Sequence, residues 1–112
     1  FRAPGQTSWG WGEGNRGVEQ YRRIDAYLSR RSTAITMNPG AVAKGEPAIT
    51  TTTYHRPIAE YIASLARAGF AVDALEEWPS PRVSEPGPRA EEENRARREI
   101  PMFLALRAVR RS

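Results

Sequence analysis

The stretch that most constrains this chain is TTTYHRPIAEYIASLARAGFAVDALEEWPSP, residues 51–81, which reads as strand, helix and strand with hardly a residue between them. Consecutive threonines are poor helix formers and suit a pleated surface, so AITTTTY (48–54) is predicted to be a strand. Pro57 then sits in a first-turn position, where its missing N–H removes nothing a helix needs. Ile58, Tyr61, Ile62 and Leu65 fall at i, i+3, i+4 and i+7, one apolar stripe. Gly69 supplies a left-handed residue to end the helix, and Phe70 can fold back over the last turn. AVDALEEW (71–78) follows at once as a strand, antiparallel to the helix axis and packed against it.

The rest of the chain is less regular. Residues 1–17, FRAPGQTSWGWGEGNRG, carry five glycines and show no clear period, so a loop is expected, with Trp9 and Trp11 covering something apolar. VEQYRRIDAYLS (18–29) alternates imperfectly and reads as a strand, with helix as the competing pattern. RRSTAITM (30–37) follows at hairpin distance and is rich in β-branched residues. NPGAVAKGEP (38–47) is a turn and loop, and PSPRVSEPGP (79–88) a proline-rich surface loop. RAEEENRARRE (89–99) forms a polar helix with i, i+4 pairs Glu91–Arg95 and Glu93–Arg97. IPMFLALRAVR (100–110) reads as a strand buried on both faces.

Composition limits the functions. At 112 residues there is room for one domain, and nine glycines, nine prolines and a 39% apolar share predict a small core. No cysteine is present, which removes disulfides, thiolate chemistry and zinc-ribbon spacing, and one histidine builds no His-rich metal site. No apolar run approaches the ~18–20 residues that span a bilayer, so no membrane role and a cytoplasmic setting are expected. The net charge of +4 raises nucleic acid as a partner. Its distribution argues against one: Arg89, Arg95, Arg97 and Arg98 alternate with Glu91, Glu92, Glu93 and Glu99, and the other cations are scattered. A start at FRAPG, without an initiator Met, suggests further sequence upstream.

A helix ending in AGF (68–70), a strand ending in EEW (76–78), a polar insert and EIPMFLALRA (99–108) as the last strand together resemble the carboxyl end of class I S-adenosylmethionine-dependent methyltransferases. The likeness is to the small-molecule branch labelled methyltransferase type 11, and it covers YHRPIAEYIASLARAGF (54–70), AVDALEEWP (71–79) and IPMFLALRA (100–108); FRAPGQTSWGW resembles the segment leaving the fifth strand. The resemblance implies an α/β fold, the C-terminal portion of a seven-stranded Rossmann-like methyltransferase sheet with an inserted β-rich cap. Residues 1–53 would be the substrate-side cap and 54–112 the helix and last two strands.

The family's Gly-rich loop after the first strand and its ribose-binding acid are missing, and WGWGEG lacks the strand and helix a nucleotide loop needs. The resemblance therefore implies that S-adenosylmethionine is held mainly by a missing N-terminal half, that no residue here binds it, and that the chain alone is inactive. A small-molecule methyl acceptor would meet Trp9, Trp11, Tyr21, Arg23 and Tyr27, with Arg22 or Arg23 pairing to an acidic group. His55, between a strand and a helix, is the candidate base, with a capping or packing role as the alternative. A self-contained α+β module that binds a ligand or protein through the Trp-bearing loop is the competing reading.

Overall fold

The computed structural model describes residues 5–112. Its elements run β1 (Thr7–Gly14), β2 (Gly17–Ile24), β3 (Arg31–Thr36), α1 (Pro39–Ala43), β4 (Thr50–His55), α2 (Ile58–Arg67), β5 (Phe70–Trp78), α3 (Ala90–Glu99) and β6 (Phe103–Arg110). Among the described residues the strands form three separate two-stranded antiparallel sheets, β1–β2, β3–β4 and β5–β6. This overturns the expected α/β fold: no seven-stranded Rossmann-like sheet is built, and every pairing is antiparallel. Each strand pairs with its nearest compatible neighbour in the chain, and the helices do not cover both faces of a continuous sheet, as parallel strands require.

The segment read as a loop is a hairpin. TSWGWGEG alternates with period two, the two tryptophans on one face and the glycines on the other. β1 pairs with β2 from Thr7↔Ile24 to Gly14↔Gly17, and Gly17, at φ 98°, takes the left-handed position that closes the turn. The strand expected at 18–29 thus ends at Ile24 and pairs backwards with β1, not forwards with 30–37. β3 instead reaches across α1 to the threonine strand β4. Asn38 fastens that connection: its Oδ1 accepts the Ile49 N–H at 2.7 Å and its Nδ2 donates to the Pro47 carbonyl at 3.0 Å.

The unit over 51–81 forms much as its pattern predicts. α2 follows Pro57, ends at Ala68 and is terminated by Gly69 at φ 88°. β5 packs along α2 and pairs with β6, with a bulge at Asp73 that leaves this residue outside the ladder. Arg107 grips the bulged carboxylate with two bonds, at 2.7 and 3.0 Å. β6 is not buried on both faces, however; Leu104, Ala105, Leu106 and Ala108 are half-buried and its other residues are exposed.

No large core closes over these sheets. Among the described residues Ala96 is the one buried hydrophobic side chain, and the other buried groups include Gln6 and His55. The Cα radius of gyration is 17.9 Å, against about 13 Å for a compact domain of about 100 residues.

Candidate functional site

Two places gather functional side chains. The first is a joint where the first hairpin, the second hairpin and α2 meet. Gln6 is buried; its Nε2 donates to the Ala26 carbonyl at 3.0 Å and its own carbonyl accepts the Asp25 N–H at 2.8 Å. That clamp holds Ala26 at φ 47°, a left-handed conformation costing roughly 1–2 kcal/mol for a residue with a Cβ. The strained turn delivers Tyr27 to the start of α2. There its hydroxyl accepts the Ile58 N–H at 3.0 Å, one of the donors a helix leaves unpaired at its first turn. Pro57, the residue ahead of that turn, offers no side-chain cap.

His55 closes the joint from below. It is fully buried, its ring lies edge-on to Tyr27 at 5.6 Å, and Nε2 sits 2.7 Å from the Tyr27 carbonyl oxygen. A carbonyl only accepts, so Nε2 carries the proton. Nδ1 is buried with no hydrogen-bond partner among the described residues. Arg30 and Glu60 add an ion pair from the same loop to α2. Tyr27 and His55 are therefore brought together, but to each other and to the helix end rather than to an open cleft.

The second place is a cleft of about 260 Å³ lined by Trp9, Arg22, Arg82, Arg97, Ile100 and Met102, with Ser80 at its side. The hairpin supplies one wall. Trp9 and Arg22 are directly opposite each other across β1–β2, and the Arg22 guanidinium stacks 4.9 Å from the indole centroid. Arg22 is further held by Nε donating to Thr7 Oγ1 at 2.7 Å. The other wall comes from the β5–α3 connection, from α3 and from the α3–β6 connection that carries Ile100 and Met102. Arg97 donates through Nη1 to Ser84 Oγ at 2.6 Å and to Asn94 Oδ1 at 3.2 Å, while Asn94 Oδ1 also accepts the Ser84 N–H at 2.9 Å. Helix and loop are thus one braced piece.

A carboxylate–guanidinium pair joins the two walls. Gln20 on β2 offers its N–H to Glu92 Oε2 at 2.7 Å and its carbonyl to Arg95 Nη2 at 3.2 Å, and Arg95 Nη2 also bonds Glu92 Oε2 at 2.8 Å. The pair occupies the edge of β2 as a partner strand would, satisfying both backbone groups of one residue. The Arg95 hydrogen bond and then the Gln20 N–H hold the Glu92 carboxyl down to about 2.

The acceptor-binding residues expected from the sequence do not form one wall. Trp9 lines the cleft. Trp11 shares its face but lies under Arg89, 5.2 Å from the guanidinium. Tyr21 and Arg23 point to the opposite face of the hairpin, Tyr21 across Gly10 and Arg23 donating to Ser8 Oγ at 3.2 Å. Tyr27 belongs to the joint. From the sequence Arg82 takes no role, Arg97 reads as one of a set of compensated helix charges and Ile100 and Met102 belong to the last strand, so none of the four is expected at a site. One signal was there: Arg82 is the sole cation between residues 71 and 88, among four acids.

The glycines of WGWGEG do not make a donor-binding loop. They stand on a strand that turns into another strand, and a Cβ on Gly10 would come within 2.5 Å of the Tyr21 ring, which fills the space above it. Nor does any group of three or more His, Asp or Glu residues among the described residues suit a metal ion. Comparison with protein-family models, with curated proteins and with solved structures finds no match. Among the described residues no helix is long and apolar enough to cross a membrane.

Proposed function

We propose that this chain is the acceptor-side part of an S-adenosylmethionine-dependent methyltransferase acting on a small molecule. The observation that carries the reading is the succession α2, β5, α3, β6, in which α2 lies along β5 and β6 runs antiparallel to it. This is the local order that the resemblance of residues 54–108 implies, here limited to two strands. The WGWGEG glycines stand on a hairpin strand and make no donor loop, so in this reading the methyl donor is held by other parts of the enzyme. What this chain contributes is a walled cleft for the acceptor and a fixed arrangement of loop, strand and helix beside it.

The open architecture supports the same reading. With Ala96 as the one buried hydrophobic side chain among those described, the exposed apolar residues gain stability only when another surface covers them. His55 serves that arrangement by holding Tyr27, since its buried ring presents no lone pair to solvent. A self-contained module that binds a ligand or protein without catalysis is the second reading, favoured by a cleft that sets the Trp9 ring beside Arg22, Arg82 and Arg97.

The test is a labelled-methyl assay on the protein encoded by the whole reading frame, with calorimetric titration of residues 1–112 beside it. Label should pass from the donor to a small molecule in the full protein, and the 112 residues alone should not bind the donor. Failure of the full protein to bind donor, or tight donor binding by residues 1–112, overturns the reading.

A further inference from the structure

Three arginines line one small cleft, and no carboxylate is among its described lining residues. A cleft lined by side chains of one sign of charge favours a ligand of the opposite sign. Two of the three arginines are held in place. Arg22 is stacked on Trp9 and bonded to Thr7, and Arg97 is bonded to Ser84 and Asn94. Arg82 stands on the exposed loop at the mouth, and its guanidinium makes no hydrogen bond or ion pair with the described residues. Apart from Ser80, the remaining surface is apolar: Trp9, 40% exposed, with Ile100 and Met102. Aromatic and aliphatic walls with a few convergent charges are the usual make-up of a small-molecule site. The volume of about 260 Å³ lies under the ~300–1,000 Å³ typical of drug-sized ligands, which leaves room for one ring with a short substituent.

From these features we propose that the cleft binds a small aromatic carboxylate, with the ring against Trp9, Ile100 and Met102 and the carboxylate among Arg22, Arg82 and Arg97. Planar guanidinium groups match a carboxylate with paired N–H bonds, and the aromatic body supplies the apolar area that a bare anion lacks. The site stands without the methyltransferase reading, because binding needs no donor; if that reading holds, the same ligand class is its acceptor.

Benzoate titrated into the 112-residue chain tests this, followed by the indole N–H signals of its three tryptophans. Benzoate should move the Trp9 signal in a saturable way and leave Trp11 and Trp78 in place. Benzyl alcohol, of similar size but uncharged, and inorganic phosphate, charged but without a ring, should each bind at least tenfold more weakly. Arg82→Met should weaken benzoate binding by about tenfold or more, and Arg82→Lys should restore part of it. Arg82 lies on the surface, so unshifted Trp11 and Trp78 signals verify that the variant is folded. Benzyl alcohol or inorganic phosphate binding as well as benzoate, phenyl phosphate binding where benzoate does not, or an unaffected Arg82→Met variant would each overturn the assignment. None of these measurements involves methyl transfer, so this site and the proposed enzyme activity can fail separately.

Discussion

Tyr27 shows how a residue with the look of a pocket wall can have structural work instead. Its ring packs edge-on to His55, its carbonyl accepts from His55 Nε2, and its hydroxyl caps the first N–H of α2. Removing the hydroxyl while keeping the ring isolates the last of these. Tyr27→Phe should lower stability by about 1 kcal/mol, the usual worth of one such bond, and should speed amide exchange at Ile58 while leaving β5 and β6 protected. Unchanged exchange at Ile58 would show that the cap contributes nothing. The sequence places His55 between strand and helix, and the structure makes it the last residue of β4, paired with Arg31. It does not reveal that a tyrosine 28 positions earlier sits beside it, because the contact depends on the Ala26 turn and on the buried Gln6 clamp. Neither of those carries a local signature. Gly69 is the contrary case: a left-handed residue after an apolar stripe is a local signal, and φ 88° agrees with it.

At the scale of elements, patterns carried within one segment were legible and pairings between segments were not. α2 emerges from its apolar spacing and β4 from its threonines, whereas in α3 the expected i, i+4 pairs give way to Arg95 with Glu92 and Arg97 with Ser84 and Asn94. The β1–β2 hairpin was hidden because glycine at alternate positions mutes a period-two pattern that the tryptophans alone carry. The cleft escaped notice for a related reason: its walls are some 60 residues or more apart in sequence, and the Glu92–Arg95 pair that ties them looks like one of several solvated helix pairs. Glu92 also provides the pH test. Its carboxyl is lowered in the folded state from an ordinary 4.5 to about 2, so the docking it contributes is complete above about 4.5 and is lost as pH falls toward 2. The Gln20 amide signal should therefore titrate with a midpoint near 2. A midpoint in the ordinary carboxylate range would mean that the bond is not kept in solution. Glu92→Ala should abolish the titration and loosen α3 from β2, and high salt should act in the same direction.

For the whole molecule the decisive quantity is apolar surface left in contact with water. Trp78 and Phe103 face each other across β5–β6, 51% and 46% exposed, and β6 pairs on one side only among the described residues. An unpaired strand edge beside an exposed aromatic pair is a template for further strand pairing. Two-stranded sheets are at best marginal by themselves, since each has little surface to bury. The 112 residues in isolation should accordingly associate at roughly micromolar to millimolar concentrations, seen as a mass that rises with loading in sedimentation equilibrium. Phe103→Lys places a charge at the start of the strand edge and should shift the distribution toward monomer, with the helical circular-dichroism signal unchanged. If the wild-type chain stays monomeric over that range, the β5–β6 face needs no cover. The structural support for a larger enzyme then falls away, leaving the arginine-lined cleft as the feature that stands without it.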